Sequence, residues 1–439
     1  MKKALISLVF LSLTDIHTGI AFQGITQDLE REMTLGETGF IPVNIILREK
    51  ADFQSLHLAM QGIPNRVQRK IVWEEIQKVA NSTQKPLRNF LAWKEREGKV
   101  RDVKILWTAN GISAHVERSI IEEIWRRFSE VKSIDLDETR PLEEVADFKI
   151  PLTPFNKGGS KGDFAFIPAD TAWGVVKINA PQVWEMGYTG AGILVGNIDT
   201  GVNYNHLDLS DHLWEGDTTY PNHGWDYYSN DNDPMDESGH GTSTAGIVCG
   251  DGTAGFLTGV APDATLMILR ASGAGSTESM IWLSMDFCIQ NGVDIITSSL
   301  SWKFPWNPDY ETWRLYTEAE LSAGIVHSNS IGNQGNQQGT YPIPYNIATP
   351  GNCPPAWLHP DQILIGGLSS TMGCGAVDQN DEIMDYSGRG PAAWETGPLF
   401  TDYPYFGGVE MGLLKPDVSA PTDVETIDYS CDTCYTTGF

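Results

Sequence analysis

The spacing of apolar residues changes character near residue 170, and the change divides the chain into two folding units. In the first unit, residues 40–48 (Phe-Ile-Pro-Val-Asn-Ile-Ile-Leu-Arg) alternate as a strand does, and apolar residues then recur at helical spacing over 69–79 and 84–97. Residues 103–108 read as a strand, 116–128 as a helix and 131–136 as a strand. This succession predicts a small α+β sandwich of the split βαβ, ferredoxin-like kind. No cluster of catalytic side chains falls within it, and His115 reads as a surface or helix-start residue.

Beyond residue 172 the apolar runs are short, mostly β-branched and bounded by Gly, Asp or Ser, at 192–199, 264–271, 294–301, 325–332 and 362–369. Helical spacing fills the gaps at 241–249, 279–291 and 312–323. Strand and helix in alternation predict an α/β unit, a doubly wound, mostly parallel sheet with helices on both faces. Sites in such sheets form at the carboxyl ends of strands, so the residues that close each run become candidates. Residues 143–172, with Pro151, Pro154, Gly158, Gly159, Gly162 and Pro168 and no clear period, mark a linker and the expected place of processing.

Charge sharpens this boundary. The 439 residues carry a net charge of -27, and residues 171–439 hold six Lys and Arg against 33 Asp and Glu, while residues 1–170 hold 24 of each. Nucleic acid is excluded as a partner of the second unit, because phosphate binding needs a basic footprint. An acidic surface suits a soluble, monomeric secreted protein, with cation binding or adaptation to salty surroundings as the other readings. Met1-Lys2-Lys3, the apolar residues 4–13 and the small residues Gly19 and Ala21 follow the order of a secretory signal peptide, expected over 1–21. The apolar run falls short of the roughly 20 residues that span a bilayer, and no later run reaches that length, so no membrane partner is expected. Six cysteines, Cys249, Cys288, Cys353, Cys374, Cys431 and Cys434, all lie in the second unit. In an exported protein they are expected to form disulfides of undetermined connectivity, with a zinc half-site at Cys431-Asp-Thr-Cys434 as the alternative.

The first strand of the second unit closes on Gly196-Asn197-Ile198-Asp199-Thr200-Gly201-Val202. A carboxylate ending a buried strand needs a partner, because a desolvated charge is costly alone. Ser238-Gly239-His240-Gly241-Thr242 supplies an imidazole at the start of a small-residue helix. Asp199 on one ring nitrogen of His240 leaves the other as a general base near neutral pH.

The order and context of these motifs resemble the subtilisin-like serine proteases, which run Asp, His, Ser along the chain. The resemblance begins near Trp173 and continues through Ile178-Asn179-Ala180-Pro181-Gln182-Val183-Trp184, His206-Leu207-Asp208-Leu209 and Gly259-Val260-Ala261-Pro262 to Lys415-Pro416-Asp417-Val418-Ser419-Ala420-Pro421. It implies a subtilisin-like sheet over 173–439, with Asp199 orienting His240. Ser330-Ile331-Gly332-Asn333-Gln334-Gly335 is similar to the family's oxyanion segment, which implies that Asn333 donates to the tetrahedral intermediate. Ser299, Leu300, Ser301 and Gly332 are implied to bind substrate as an extended strand, with Ser301 standing where the family usually has Gly. A sedolisin-type carboxyl peptidase, which shares the fold, is opposed by the histidine at 240.

The family's next segment, Gly-Thr-Ser-x-Ala-x-Pro, is not found after residue 421. Gly241-Thr242-Ser243 has its letters but belongs to the His240 helix. The nucleophilic serine is therefore expected just beyond Phe439, and the chain as given is expected to be an inactive fragment. The alternative is a catalytically inactive, secreted binding protein. The resemblance further implies that 22–142 is an inhibitor-like propeptide, a partner of its own peptidase unit. No cofactor is implied for catalysis. Structural calcium is a candidate at Asp231 and Asp233, within a run rich in hard oxygen ligands, with a solvated acidic turn as the other reading.

Overall fold

The computed structural model describes residues 24–35, 39–141, 170–394, 400–406 and 410–437. The expected signal peptide and nearly all of the expected linker lie outside the described residues.

The first unit comprises α1 (Gln27–Leu35), β1 (Phe40–Leu47), α2 (Phe53–Ala59), α3 (Asn65–Thr83), α4 (Lys85–Arg96), β2 (Val100–Leu106), β3 (Gly111–Glu117), α5 (Arg118–Arg127) and β4 (Val131–Leu136). Its strands form an antiparallel sheet in the order β2-β3-β1-β4, the split βαβ arrangement read from the sequence. One face receives Leu87, Phe90 and Leu91 of α4 and Ile120, Ile121 and Ile124 of α5. The helix expected from residue 116 starts only at Arg118, and a strand precedes it. Ile112, Ala114 and Val116 alternate into the core, a period of two that fixes β3 in the sheet. His115 accordingly sits on β3 rather than at a helix start, 3.3 Å from Asp102.

The second unit comprises α6 (Trp173–Lys177), α7 (Ala180–Glu185), β5 (Leu194–Asp199), β6 (Gly224–Asp226), α8 (His240–Cys249), β7 (Thr265–Arg270), α9 (Glu278–Asn291), β8 (Ile295–Ser298), α10 (Tyr310–Ser322), β9 (Val326–Ser330) and β10 (Thr371–Val377). It continues with the short pair β11 (Tyr405–Phe406) and β12 (Glu410–Met411), then β13 (Val418–Pro421), β14 (Glu425–Ile427) and β15 (Tyr435–Thr437). Seven strands make one parallel sheet in the order β13-β10-β9-β8-β5-β7-β6. Both faces of its centre are covered, which is why β5 and β7 are buried almost throughout. Residues 362–369, expected as a strand, are not one. Ile363 and Ile365 are 85% and 76% exposed, and the sheet position between β9 and β13 is taken by the small-residue run Thr371–Val377.

The other face of the first unit's sheet rests on α9 and α10. Ile46, Leu106, Ala109, Val72 and Ile76 share one core with Trp282, Met285, Trp313, Tyr316 and Ala319. Several polar groups are paired across this contact. The Asp286 carboxylate accepts the Trp107 and Thr108 backbone N–H groups at 2.8 and 3.1 Å, the Thr108 hydroxyl at 2.6 Å and the Tyr316 hydroxyl at 3.1 Å. Arg69 donates to Asp294 at 2.5 Å and to the Gly292 carbonyl at 3.1 Å, and the Ser279 hydroxyl donates to Asp137 at 2.6 Å.

The cysteine expectation is corrected. Cys431 and Cys434 are bonded to each other, at the tip of the β14–β15 hairpin, and so form no zinc half-site. Cys249, Cys288, Cys353 and Cys374 are free thiols. Cys249, Cys288 and Cys353 belong to three different hydrophobic clusters, where they act as small apolar side chains.

Candidate active site

Asp199 is the last residue of β5 and is fully buried. Its Oδ1 accepts the Thr200 backbone N–H at 2.8 Å and the His240 Nδ1–H at 2.5 Å, and its Oδ2 accepts the Thr244 hydroxyl at 3.3 Å. The carboxylate thus has the partners that its burial demands.

His240 opens α8, and the glycines around it have steric reasons. Gly239, with φ +96°, turns the chain into the helix through a left-handed conformation. A Cβ on Gly241 would lie 2.1 Å from the Gly201 carbonyl oxygen and 3.0 Å from the Asp199 Cβ, so only glycine lets the helix end approach β5 this closely. Further along α8, a Cβ on Gly246 would meet Thr426 at 2.5 Å, which explains how β14 packs against this helix. Burial alone would push the His240 imidazole down. The Asp199 carboxylate, with a smaller contribution from Asp236, outweighs burial and holds it above its usual value.

The other sequence candidates arrive at the same edge of the sheet. β8 and β9 lie beside β5 in succession, and their carboxyl ends lead directly into Ser299-Leu300-Ser301 and Ile331-Gly332-Asn333. Asn333 is exposed there, and Gly332 again adopts a positive φ of +88°. The Ser330 hydroxyl donates to the Ser299 carbonyl at 3.3 Å and stands 3.3 Å from the Ser301 hydroxyl, tying the two segments together. Ser243 lies on α8, buried, with its hydroxyl on the Ile427 carbonyl at 3.3 Å.

A segment of the first unit reaches this region. Arg140 and Ser276, six residues beyond the end of β7, exchange backbone hydrogen bonds of 2.8 Å in both directions as an antiparallel bridge. A Cβ on Gly275 would lie 2.8 Å from the Arg140 carbonyl oxygen, so the small residue permits the approach.

Asp231 and Asp233 sit in an exposed turn, where Asp231 accepts the Asp233 backbone N–H at 2.9 Å and Asp233 the Tyr204 hydroxyl at 2.8 Å. Among the described residues neither joins a group of three carboxylate, imidazole or thiol ligands close enough to share an ion. The sequence pattern does not single out Asp236, buried and hydrogen-bonded to residues that flank Asp199 and His240, or Asp286. The available signal for Asp236 is its place four residues before the histidine, and for Asp286 an acid within the mostly apolar run 280–289.

The sheet and the paired Asp199 and His240 define a class, and comparison with known proteins agrees. Residues 190–438 match the subtilase family of peptidases, and the chain belongs to that family. It is similar to the minor extracellular protease Vpr of Bacillus subtilis, at 37% identity over 186 residues covering 40% of this chain and 21% of the relative. Bacillopeptidase F of the same organism is 26% identical over 380 residues, covering 80% of this chain and 23% of the relative. Subtilisin DY of Bacillus licheniformis is 30% identical over 244 residues, 53% of this chain and 74% of that protein. The chain spans about a fifth of the length of the first two. Among the described residues no helix is long and apolar enough to cross a membrane.

Proposed function

We propose that this chain carries the propeptide and the Asp–His part of the catalytic unit of a secreted serine endopeptidase. The observation that carries the reading is the 2.5 Å contact between buried Asp199 and His240 Nδ1 at the sheet edge from which 299–301 and 332–333 also emerge. In the mechanism, Asp199 fixes the tautomer with the proton on Nδ1, so Nε2 takes the proton of the attacking serine and returns it to the leaving amine. The nucleophile is a serine in a Gly-Thr-Ser segment C-terminal to Phe439. Asn333 donates its amide to the oxyanion, and Ser299, Leu300, Ser301 and Gly332 bind the substrate main chain. The raised imidazole moves its base form, and with it the acid limb of activity, to higher pH than an unperturbed histidine would give.

Residues 1–21 act as signal peptide, 22–142 as intramolecular inhibitor and 143–172 as processed linker. The Arg140–Ser276 bridge supports the inhibitor role, because it is the strand addition by which a peptide would enter the same region. The full-length gene product, once processed, should hydrolyse casein and lose that activity to a serine-directed inhibitor. A processed protein inert toward casein and peptide libraries would support the secreted binding protein instead.

The interface between the units also predicts a pH dependence. Burial pushes the Asp286 carboxyl up to about 7 against the pull of its hydrogen-bond donors. Burial, followed by the facing Asp309, pushes Asp135 of β4 up to about 7, and Glu278 is raised by the same two causes. These carboxyls bind protons more readily docked than free, so docking takes up protons. It is strongest at low pH and weakens as pH rises toward about 7. Lys50, held down to about 7 by burial, acts in the opposite sense but only above that pH. The lag before activity appears in processed protein should therefore shorten between about pH 5 and pH 7. A lag that is constant or lengthens over this range contradicts the assignment.

A further inference from the structure

We infer that Asp236 is a positioning residue for the Asp199–His240 pair, one buried carboxylate that sets the register between the two segments carrying them. The inference rests on the catalytic reading of that pair given above. Asp236 is 5% exposed and accepts five hydrogen bonds. Its Oδ1 takes the Thr200 hydroxyl at 3.0 Å and the Ser238 and Gly239 backbone N–H groups at 2.9 Å each. Its Oδ2 takes the Thr242 backbone N–H at 2.9 Å and the Thr242 hydroxyl at 2.6 Å. The donors come from the residue after Asp199, the two residues before His240 and the first turn of α8.

Two hydroxyls extend the lock. Thr200 Oγ1, while donating to Asp236, accepts the Gly241 N–H at 2.8 Å, and the Thr200 N–H is itself on Asp199 Oδ1 at 2.8 Å. Thr242 Oγ1 accepts the Asn203 N–H at 2.9 Å, which ties the chain after β5 to the same helix turn. Movement of His240 relative to Asp199 therefore breaks bonds to Asp236. An acceptor-only group is required, because three of the five donors are backbone N–H groups that cannot reverse. An asparagine in either orientation would set its NH2 against at least one of them.

The charge has a second effect. The Asp199 and Asp236 carboxylates both raise the imidazole's proton affinity, while Arg270 is held by Asp226 at 3.1 Å and Glu237 at 2.7 Å. Removing the Asp236 charge leaves Asp199 alone to oppose burial and lowers the imidazole's proton affinity.

The test uses the full-length gene product with steady-state kinetics across pH. Asp236→Asn should lower kcat by roughly 10²-fold, the scale of a small misplacement of reacting groups, with KM changed by less than about twofold. Its acid limb should move to lower pH. Thr200→Val, which keeps the charge but cuts the link to Gly241, should lower kcat by about tenfold with the acid limb unmoved, and Thr200→Ser should restore it. Should Asp236→Asn fail to fold, the Thr200 pair decides alone. The inference is overturned if either Asp236→Asn or Thr200→Val keeps kcat within about twofold while His240→Ala is inactive. If His240→Ala is itself active, it is the catalytic reading that fails.

Discussion

Alanine at His240 should abolish measurable hydrolysis by the full-length enzyme, a fall of about 10⁶-fold in kcat, and Asp199→Asn should cost about 10⁴-fold. The first magnitude comes from subtilisin, a member of the same family, and the second from the same substitution in a serine protease of unrelated fold; both carry over only if Asp199 and His240 work as one unit. The geometry gives the reason for the difference. Without His240 no group receives the serine proton. With Asp199→Asn a base remains, but the amide NH2 facing Nδ1 favours the wrong tautomer and removes the charge that outweighs burial. The double variant should be no worse than His240→Ala alone. Additive losses would indicate that the two residues act separately and would contradict the assignment.

The second large effect concerns the first unit in its proposed role as propeptide. Asp286→Ala strands the Trp107 and Thr108 N–H groups and two hydroxyls inside the interface, where each unsatisfied donor costs about 1–3 kcal/mol. Tyr316 is lost in the docked and free enzyme alike, so the difference falls on the contacts with Trp107 and Thr108. Docking should weaken by roughly 10²-fold, about 3 kcal/mol, seen as faster release of the processed propeptide. Thr108→Val removes part of the same network, so its effect combined with Asp286→Ala should be less than additive. Unchanged release in Asp286→Ala would remove this network from the account of inhibition.

Much of this architecture was legible in the sequence because it follows from local pattern. The buried parallel strands read as apolar runs with β-branched residues, and β5 and β7 fell where the pattern put them. The Asp199 and His240 motifs carried their own context in neighbouring glycines, whose steric need the structure makes plain at Gly241. The failures have physical causes. Residues 362–369 look like a strand, but sheet position is a tertiary property, and a run of small residues with less evident periodicity packs closer there. The free cysteines are not legible as such because apolar burial and disulfide bonding draw on the same residue type. Asp236 was missed because its role depends on five donors from segments that the sequence separates. Helix α9 held an unused signal, for its residues are apolar on nearly every side. A helix of that kind has both faces covered, here by the parallel sheet and by the first unit.

Active-site labelling decides whether the full-length gene product is a serine endopeptidase whose base is His240. The processed full-length gene product would be treated with a fluorophosphonate and its labelled peptide identified by mass spectrometry. One modified serine is expected, in a Gly-Thr-Ser segment C-terminal to Phe439, with labelling lost in His240→Ala. Absence of labelling in processed protein, or a label on Ser243 or another serine before residue 439, would contradict it.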